Sequence, residues 1–436
     1  MGDVSRIPTA NYWFTQPWVA MRYVFKFFVP VHLSADTDFP AFAHPWDPLA
    51  IAGYAGVAGL VVLAVRLGRK PVWRTVSFGI WWFLLALLPD AMVPHRVVEA
   101  DWRMFLPFAG LALSVAGLTS IALDAVLSRS EGAPNRIPLF AAGGVVALGL
   151  AGLLGWATFE RNAVWESEPA LWSDVLAESP HNGRGLMNFA LTRPRDTSQQ
   201  VAFGYLIRAA EVSPHDPLIE VNLARGYARL SQPAAAETWF RRATADAPSW
   251  SPAWSAYAEW LLAEARISEA FQMASKAVGL DAWDFAGRRS MMDVMSQRHE
   301  WTTLKQFANE TLRLSPNDPD GQSSLQVAQA AIDEVGKAET VATAEPSIDH
   351  YLNLSVLYYE TQRYEDCIKA AREALRINPN LGEAYSNIAS AYHRMGKLDE
   401  TIAALQEEVR INPNLRSAKK NLAIELALKE KSAHQP

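Results

Sequence analysis

Residues 367–379, CIKAAREALRINP, decide the reading of this chain. The stretch is an amphipathic helix that ends at its proline, because proline lacks the amide hydrogen a helix needs and its ring clashes with the preceding turn. Asn378, Pro379 and Asn380 then supply turn chemistry for a corner between two helices. The same corner returns 34 residues later at Asn412, Pro413 and Asn414. Pro180, Pro214 and Pro248 are also 34 apart, and Pro316 stands two further periods on. Chance does not produce this register, so one helical unit is stacked repeatedly along the C-terminal half. Between Pro316 and Pro379 the interval is 63, five short of two periods, which predicts a break or hinge over residues 317–345.

Inside each period, small residues stand where two helices must approach and large ones where a gap must be filled. Tyr351, Leu354 and Tyr358 are matched 34 residues later by Tyr385, Ile388 and Tyr392, and Gly396 supplies the tight turn of that second repeat. Trp254, Ala258, Ala270, Ala274 and Ala277 serve the same pattern earlier in the chain. This pattern resembles the tetratricopeptide repeat (TPR), with its Trp, Leu, Gly, Tyr, Ala, Phe, Ala and Pro positions. The resemblance covers roughly residues 182–316 and 346–413, with Leu415 to Lys429 as a capping helix and a degenerate repeat over 281–316. It implies an all-α solenoid that presents an extended surface built from many modest contacts.

An asparagine recurs at one repeat position, as Asn188, Asn222, Asn353, Asn387 and Asn421. In TPR proteins this position on the first helix of each pair faces the concave groove, where similar asparagines grip the backbone of an extended polypeptide. The resemblance therefore implies a polypeptide or a protein complex as partner. The other reading is that each amide bonds the neighbouring helix and serves packing.

The N-terminal part has a different chemistry. At 436 residues the chain is too long for one ordinary core. Before Glu160 it has long runs without charge, and after it charges recur every few positions. A helix needs about 20 apolar residues to cross the hydrocarbon of a bilayer. Residues 48–65, 75–89, 104–123 and 137–159 carry no charge, and the second must borrow residues 91–93 beyond Asp90 to span. About four spans are expected, so the chain divides into residues 1–47, a membrane region over 48–160, and repeats over 161–436.

Cytoplasmic loops retain positive charge. The first loop holds Arg66, Arg69, Lys70 and Arg74, and the third holds Arg129 and Arg136. The middle loop mixes Arg96 and Arg103 with Asp90, Glu99 and Asp101. This places the N-terminal segment, the middle loop and the repeats outside, in the periplasm if the membrane is a bacterial inner membrane, or in its lumenal equivalent. Residues 11–30 mix eight large aromatics with Arg22 and Lys26, and read as an outer-face helix with snorkelling cations or as a helix packed on the spans. Residues 1–10 lack the order of a cleavable signal peptide. An outside N-terminus before the first span implies a reverse anchor, or a chain that is the later part of a longer design.

The net charge of −6 and the absence of a lysine-arginine block argue against nucleic acid. The lone Cys367 excludes an intramolecular disulfide and reads as packing. His32, His44 and His95 match no metal-ligand spacing, and there is no glycine-rich phosphate loop or nucleophile motif. No metal and no cofactor are expected. Arg103 and nearby carboxylates beside a bilayer suit a lipid-linked phosphate, since a guanidinium pairs two oxygens at once.

The run Asp101-Trp102-Arg103-Met104-Phe105-Leu106-Pro107 resembles the Glu-His-Arg-Met-Tyr-Leu-Pro signature of the transmembrane-and-TPR O-mannosyltransferases. Thr15-Gln16-Pro17, Tyr23 and Phe28-Val29-Pro30 before Asp36 and Asp38 are similar to the segment ahead of the later spans in those proteins. The likeness covers only the later half of that family's membrane domain. It implies a glycosyltransferase-C fold, a polyprenyl-phosphate sugar donor, and Arg103 with Asp101 at the donor phosphate. The essential acidic residues of that family lie in an earlier loop, so Asp36 and Asp38 are the candidates left for catalysis. A membrane-anchored TPR scaffold is the first expectation, and the C-terminal part of a glycosyltransferase is the alternative.

Overall fold

The computed structural model describes residues 7–129, 137–192 and 199–433. Among them the chain is helical throughout, without strands, and forms two compact units, Met1–Ala253 and Trp254–Pro436.

In the first unit, α1 (Thr9–Phe28) is followed by α2 (Pro48–Gly68), α3 (Arg74–Met92), α4 (Phe105–Arg129) and α5 (Ile137–Asn162). Asp47 opens α2 by accepting from the Leu49 amide at 3.0 Å, with Pro48 at the first helical position where its missing amide hydrogen costs nothing. α3 and α4 touch backbone to backbone, because Gly79 and Gly110 face each other so closely that a methyl on Gly79 would lie 2.3 Å from the Gly110 carbonyl. Three helical stretches, Pro48–Gly68, Pro71–Met92 and Asp101–Val126, are long and apolar enough to cross a membrane. Their outward faces expose Ile51, Val62, Phe78, Leu85 and Leu118. The fourth apolar stretch falls within α5, and the loop containing Arg136 lies outside the described residues.

α1 packs on α2 and α3, with Tyr12, Val19 and Tyr23 buried among Phe83, Leu87, Val98 and Met104. Lys26 is 6 % exposed, so it does not snorkel to headgroups. It is drawn inward because the segment before α4 brings Glu99 and Asp101 to within 2.8 and 2.6 Å of its ammonium.

The first unit continues with α6 (Glu168–Glu178), α7 (Gly183–Thr192), α8 (Gln199–Val212), α9 (Pro217–Arg229) and α10 (Pro233–Asp246). Leu186, Met187, Leu206, Ile219 and Leu223 form the core of these pairs. α11 (Ser251–Ala263) spans the boundary between the units.

The second unit holds α12 (Ile267–Leu280), α13 (Phe285–Gln297), α14 (Trp301–Leu314), α15 (Pro319–Ala344), α16 (Ile348–Glu360), α17 (Tyr364–Ile377), α18 (Gly382–Arg394), α19 (Leu398–Ile411) and α20 (Arg416–Ala433). The register break is one continuous helix, α15, capped by Asp318, which accepts from the Gly321 amide at 2.7 Å. Its Ala328 packs into the core around Met292 and Leu304, and its Val335 and Ala342 into the core around Leu354 and Ile388. Cys367 is buried there, as packing requires.

Among the described residues, five turns between paired helices use a left-handed residue. Ser231, Ala265, His299, Gln362 and Gly396 all have φ between 56° and 70°. Only the last is glycine, so the turn position is fixed by the period and not by residue type.

Candidate functional site

The recurrent asparagines divide by what their side chains touch. On α18, Asn387 Nδ2 donates to Ser355 Oγ on α16 at 2.7 Å. On α9, Asn222 Nδ2 donates to the Leu218 carbonyl at 2.8 Å and lies 3.4 Å from Met187 Sδ on α7. These two amides therefore link first helices of successive repeats. Asn188 is half-buried on α7, whereas Asn353 and Asn421 are exposed. Asn421 lines an open pocket of about 220 Å³ with Tyr359, Ser386, Ser390, Thr401 and Glu425. That pocket lies between α18, α19 and α20, on the first-helix side of the stack.

The segment before α4 is held by α1. Tyr12 donates to the Asp90 carbonyl at 2.7 Å, Gln16 to Val98 at 3.1 Å and Tyr23 to Ala100 at 3.1 Å. These bonds satisfy backbone groups that have no regular ladder. Four charges complete the clamp. Glu99, with no exposed surface, receives Arg22 at 2.8 Å and Lys26 at 2.8 Å, while Asp101 takes Lys26 and the Ser34 amide. Asp101 is thus occupied by Lys26 and Ser34, and its partner is not Arg103.

Arg103 has a different setting. Its Nη1 donates to the Val97 carbonyl at 3.3 Å, its guanidinium lies 5.3 Å from the Trp102 ring, and its Nε has no hydrogen-bond acceptor. It lines an apolar cavity of about 400 Å³ whose walls include Val19, Ala20, Leu84, Leu87 and Met92.

Asp36 and Asp38 face the repeats. Asp36 is 4 % exposed and lies 3.5 Å from Arg184 on α7. Burial pushes its carboxyl above the usual range, against the opposing pull of Arg184. Asp38 accepts from the His181 amide at 3.2 Å and lines a polar cleft of about 330 Å³ with Arg96, His181, Arg184 and His215. These contacts, with Arg161 paired to Asp174 and His32 to Glu178, hold the loop over residues 31–47 against the first repeat helices.

One cluster has no counterpart among the sequence expectations. His215 Nδ1 lies 2.8 Å from Asp246, Arg242 Nε lies 2.7 Å from the buried Glu220, and ligand atoms of His215, Glu220 and Asp246 fall within 4.8 Å of one another. Burial, and then the charge of Asp246, push the Glu220 carboxyl up to about 8. Burial also acts on Asp246, but hydrogen bonds from His215 and Glu220 outweigh it and hold that carboxyl below its usual range. The donor types are those of a divalent-cation site, yet the Arg242 guanidinium already supplies positive charge there. Glu220 in the first turn of α9 reads in sequence as an ordinary dipole-matching acid, so nothing local reveals the cluster.

Residues 351–381 and 382–415 each match family models of the tetratricopeptide repeat. These repeats are thus TPRs by sequence as well as by fold. No curated protein sequence matches the chain. Among solved structures, the APC/C hetero-tetramer Cut9-Hcn1 is similar at 14 % identity and a TM-score of 0.31, over 59 % of this chain and 48 % of that one. The alignment thus spans about half the length of that chain. Pseudomonas aeruginosa pilF is similar at 15 % identity and a TM-score of 0.30, over 56 % of this chain and 98 % of that one. YrrB, a TPR protein with an unusual peptide-binding site, is similar at 12 % identity and 0.24, over 49 % and 96 %. At these identities and TM-scores they establish no shared function.

Proposed function

We propose that this chain is a membrane-anchored TPR scaffold whose first-helix groove holds an extended polypeptide on the outer, periplasmic side of a bacterial inner membrane. The observation that carries the reading is the open polar pocket beside Asn421, bordered by first-helix side chains of successive repeats. Such a line of amides and hydroxyls suits backbone groups of a partner, which must be matched when they leave water. Anchoring is supported by the three long apolar helices with their exposed apolar faces. Orientation is supported by Arg66, Arg69, Lys70 and Arg74 crowding the segment between α2 and α3.

Replacing Asn353, Asn387 and Asn421 together by alanine should abolish partner capture while helical content stays. Unchanged capture would remove the groove from consideration. Because Asn387 also braces Ser355, the Asn353 and Asn421 single variants should weaken capture without loss of thermal stability. In spheroplasts, added protease should digest the repeats, and a shielded repeat half would reverse the orientation.

A second reading rests on the cavity beside Arg103. An apolar cavity of about 400 Å³ with a guanidinium Nε free of acceptors suits a membrane lipid with its phosphate at Arg103. With the likeness of residues 101–107 to the O-mannosyltransferase signature, this supports the C-terminal part of a glycosyltransferase that uses a polyprenyl-phosphate sugar. Asp101, held by Lys26, stands two residues before Arg103 in the chain, and Asp38 is the carboxylate of the loop that reaches a cleft. Arg103→Ala should eliminate sugar transfer from a polyprenyl-linked donor. A purified chain that transfers from no such donor would count against autonomous catalysis.

A further inference from the structure

At three buried positions the C-terminal end of the stack, α19 and the capping helix α20, carries a polar side chain where a small apolar one stands one period earlier. Counting one period of 34 onward, Cys367 is replaced by Thr401, Ala374 by Glu408 and Ala391 by Glu425. All six side chains are buried, so the stack places two carboxylates where its own pattern calls for small apolar groups. Carboxylates are almost never buried without a partner, because burying an unpaired charge is costly.

Thr401 and Glu425 line the pocket that holds Asn421, and Glu408 is tied to its wall through Ser386. Thr401, Leu405 and Glu408 occupy one face of α19 at steps of four and three, and the first two line the pocket. Glu408 is 4 % exposed, is hydrogen-bonded to the pocket residue Ser386, and has an Oε2 without any partner. Burial raises its carboxyl, against the opposing effect of Ser386. Glu425 lines the pocket from α20 and lies 2.9 Å from the exposed His393 imidazole. Arg394 is turned to the Tyr359 hydroxyl at 3.3 Å.

We propose that this pocket receives a lysine or arginine side chain of the bound polypeptide, with Glu425 and Glu408 as its counter-charges. The proposal rests on the groove reading above and gives it a selectivity. An elongated cation can lay its methylenes along Leu405 and Ile424 while its charged end reaches the carboxylates. The hydroxyls of Ser386, Ser390 and Thr401 accept its remaining protons.

The test uses the full chain in detergent micelles and three fluorescein-labelled glycine-serine decapeptides that carry lysine, norleucine or glutamate at two central positions. Fluorescence polarisation should show the lysine peptide binding about tenfold tighter than the norleucine peptide, and the glutamate peptide weakest. Glu425→Gln and Glu408→Gln, which keep shape, should each erase most of that preference. His393→Ala leaves both carboxylates in place and should keep or raise it. Equal binding of all three peptides overturns the proposal alone, as does a lysine preference that survives both glutamine substitutions. Failure to bind any of the three overturns it together with the groove reading beneath it.

Discussion

Asn387 on α18 and Ser355 on α16 are joined by a 2.7 Å hydrogen bond, and the Ser355 hydroxyl passes its own proton to the Leu352 carbonyl at 2.8 Å. The repeat asparagine is here a brace between two first helices. Ser355 has no exposed surface, so its oxygen depends on that amide. Asn387→Ala should lower stability by about 1 kcal/mol, and Ser355→Ala by a similar amount. The double variant should cost clearly less than the two added together, as seen in thermal unfolding of a double-mutant cycle. Strict additivity would mean the bond contributes nothing.

Lys26 is shared between Glu99 and Asp101, and Glu99 has no exposed surface. Lys26→Met leaves two carboxylates without their common ammonium, at a cost of about 3 to 5 kcal/mol. Unfolding in detergent should show this as a large loss of stability. Adding Glu99→Gln should restore part of it, since the uncompensated charge is then removed. A tolerated Lys26→Met would mean that water reaches the clamp.

The left-handed turn residues offer a gain in stability. Gln362 and Ala265 sit at φ of 59° and 57°, where a side chain strains the backbone and glycine does not. Gln362→Gly and Ala265→Gly should each stabilise by about 0.5 to 1 kcal/mol, after the larger entropy of an unfolded glycine is allowed for. Gly396→Ala should destabilise by a like amount. Calorimetry on the three variants checks the opposite signs.

Glu220 makes stability depend on pH. Its carboxyl is raised from 4.5 to about 8 in the folded chain, so between those values the folded state holds a proton that the unfolded state releases. Unfolding free energy from this group therefore falls as pH rises through that window and levels off above it. Asp246 is shifted below its ordinary 3.8, and its contribution changes only at lower pH. Glu220→Gln should flatten the decline between about pH 5 and 8 in melting temperature against pH. A wild-type curve already flat there would show that Arg242 keeps Glu220 charged throughout.

Periodicity carried most of the architecture. The prolines at 34-residue intervals and the uncharged runs ending at Val65 and Leu123 act on their immediate neighbours, so each is visible without a fold. The same local physics located the asparagine positions, but not their duties. Whether Asn387 braces a helix or Asn421 borders a pocket depends on what stands across from it in the next repeat.

The sequence by itself determined the helices, the repeat register and the apolar segments, because those follow from contacts a few residues apart. Only the tertiary structure decided the pairing of Lys26 with Asp101, 75 residues away, the approach of Asp36 to Arg184, and the bond that ties Glu408 to Ser386 in the wall of the pocket lined by Glu425. A charge has no preferred partner along the chain. Its partner is chosen when burial removes water from both groups and leaves only the nearest opposite charge or hydrogen-bonding group to replace it.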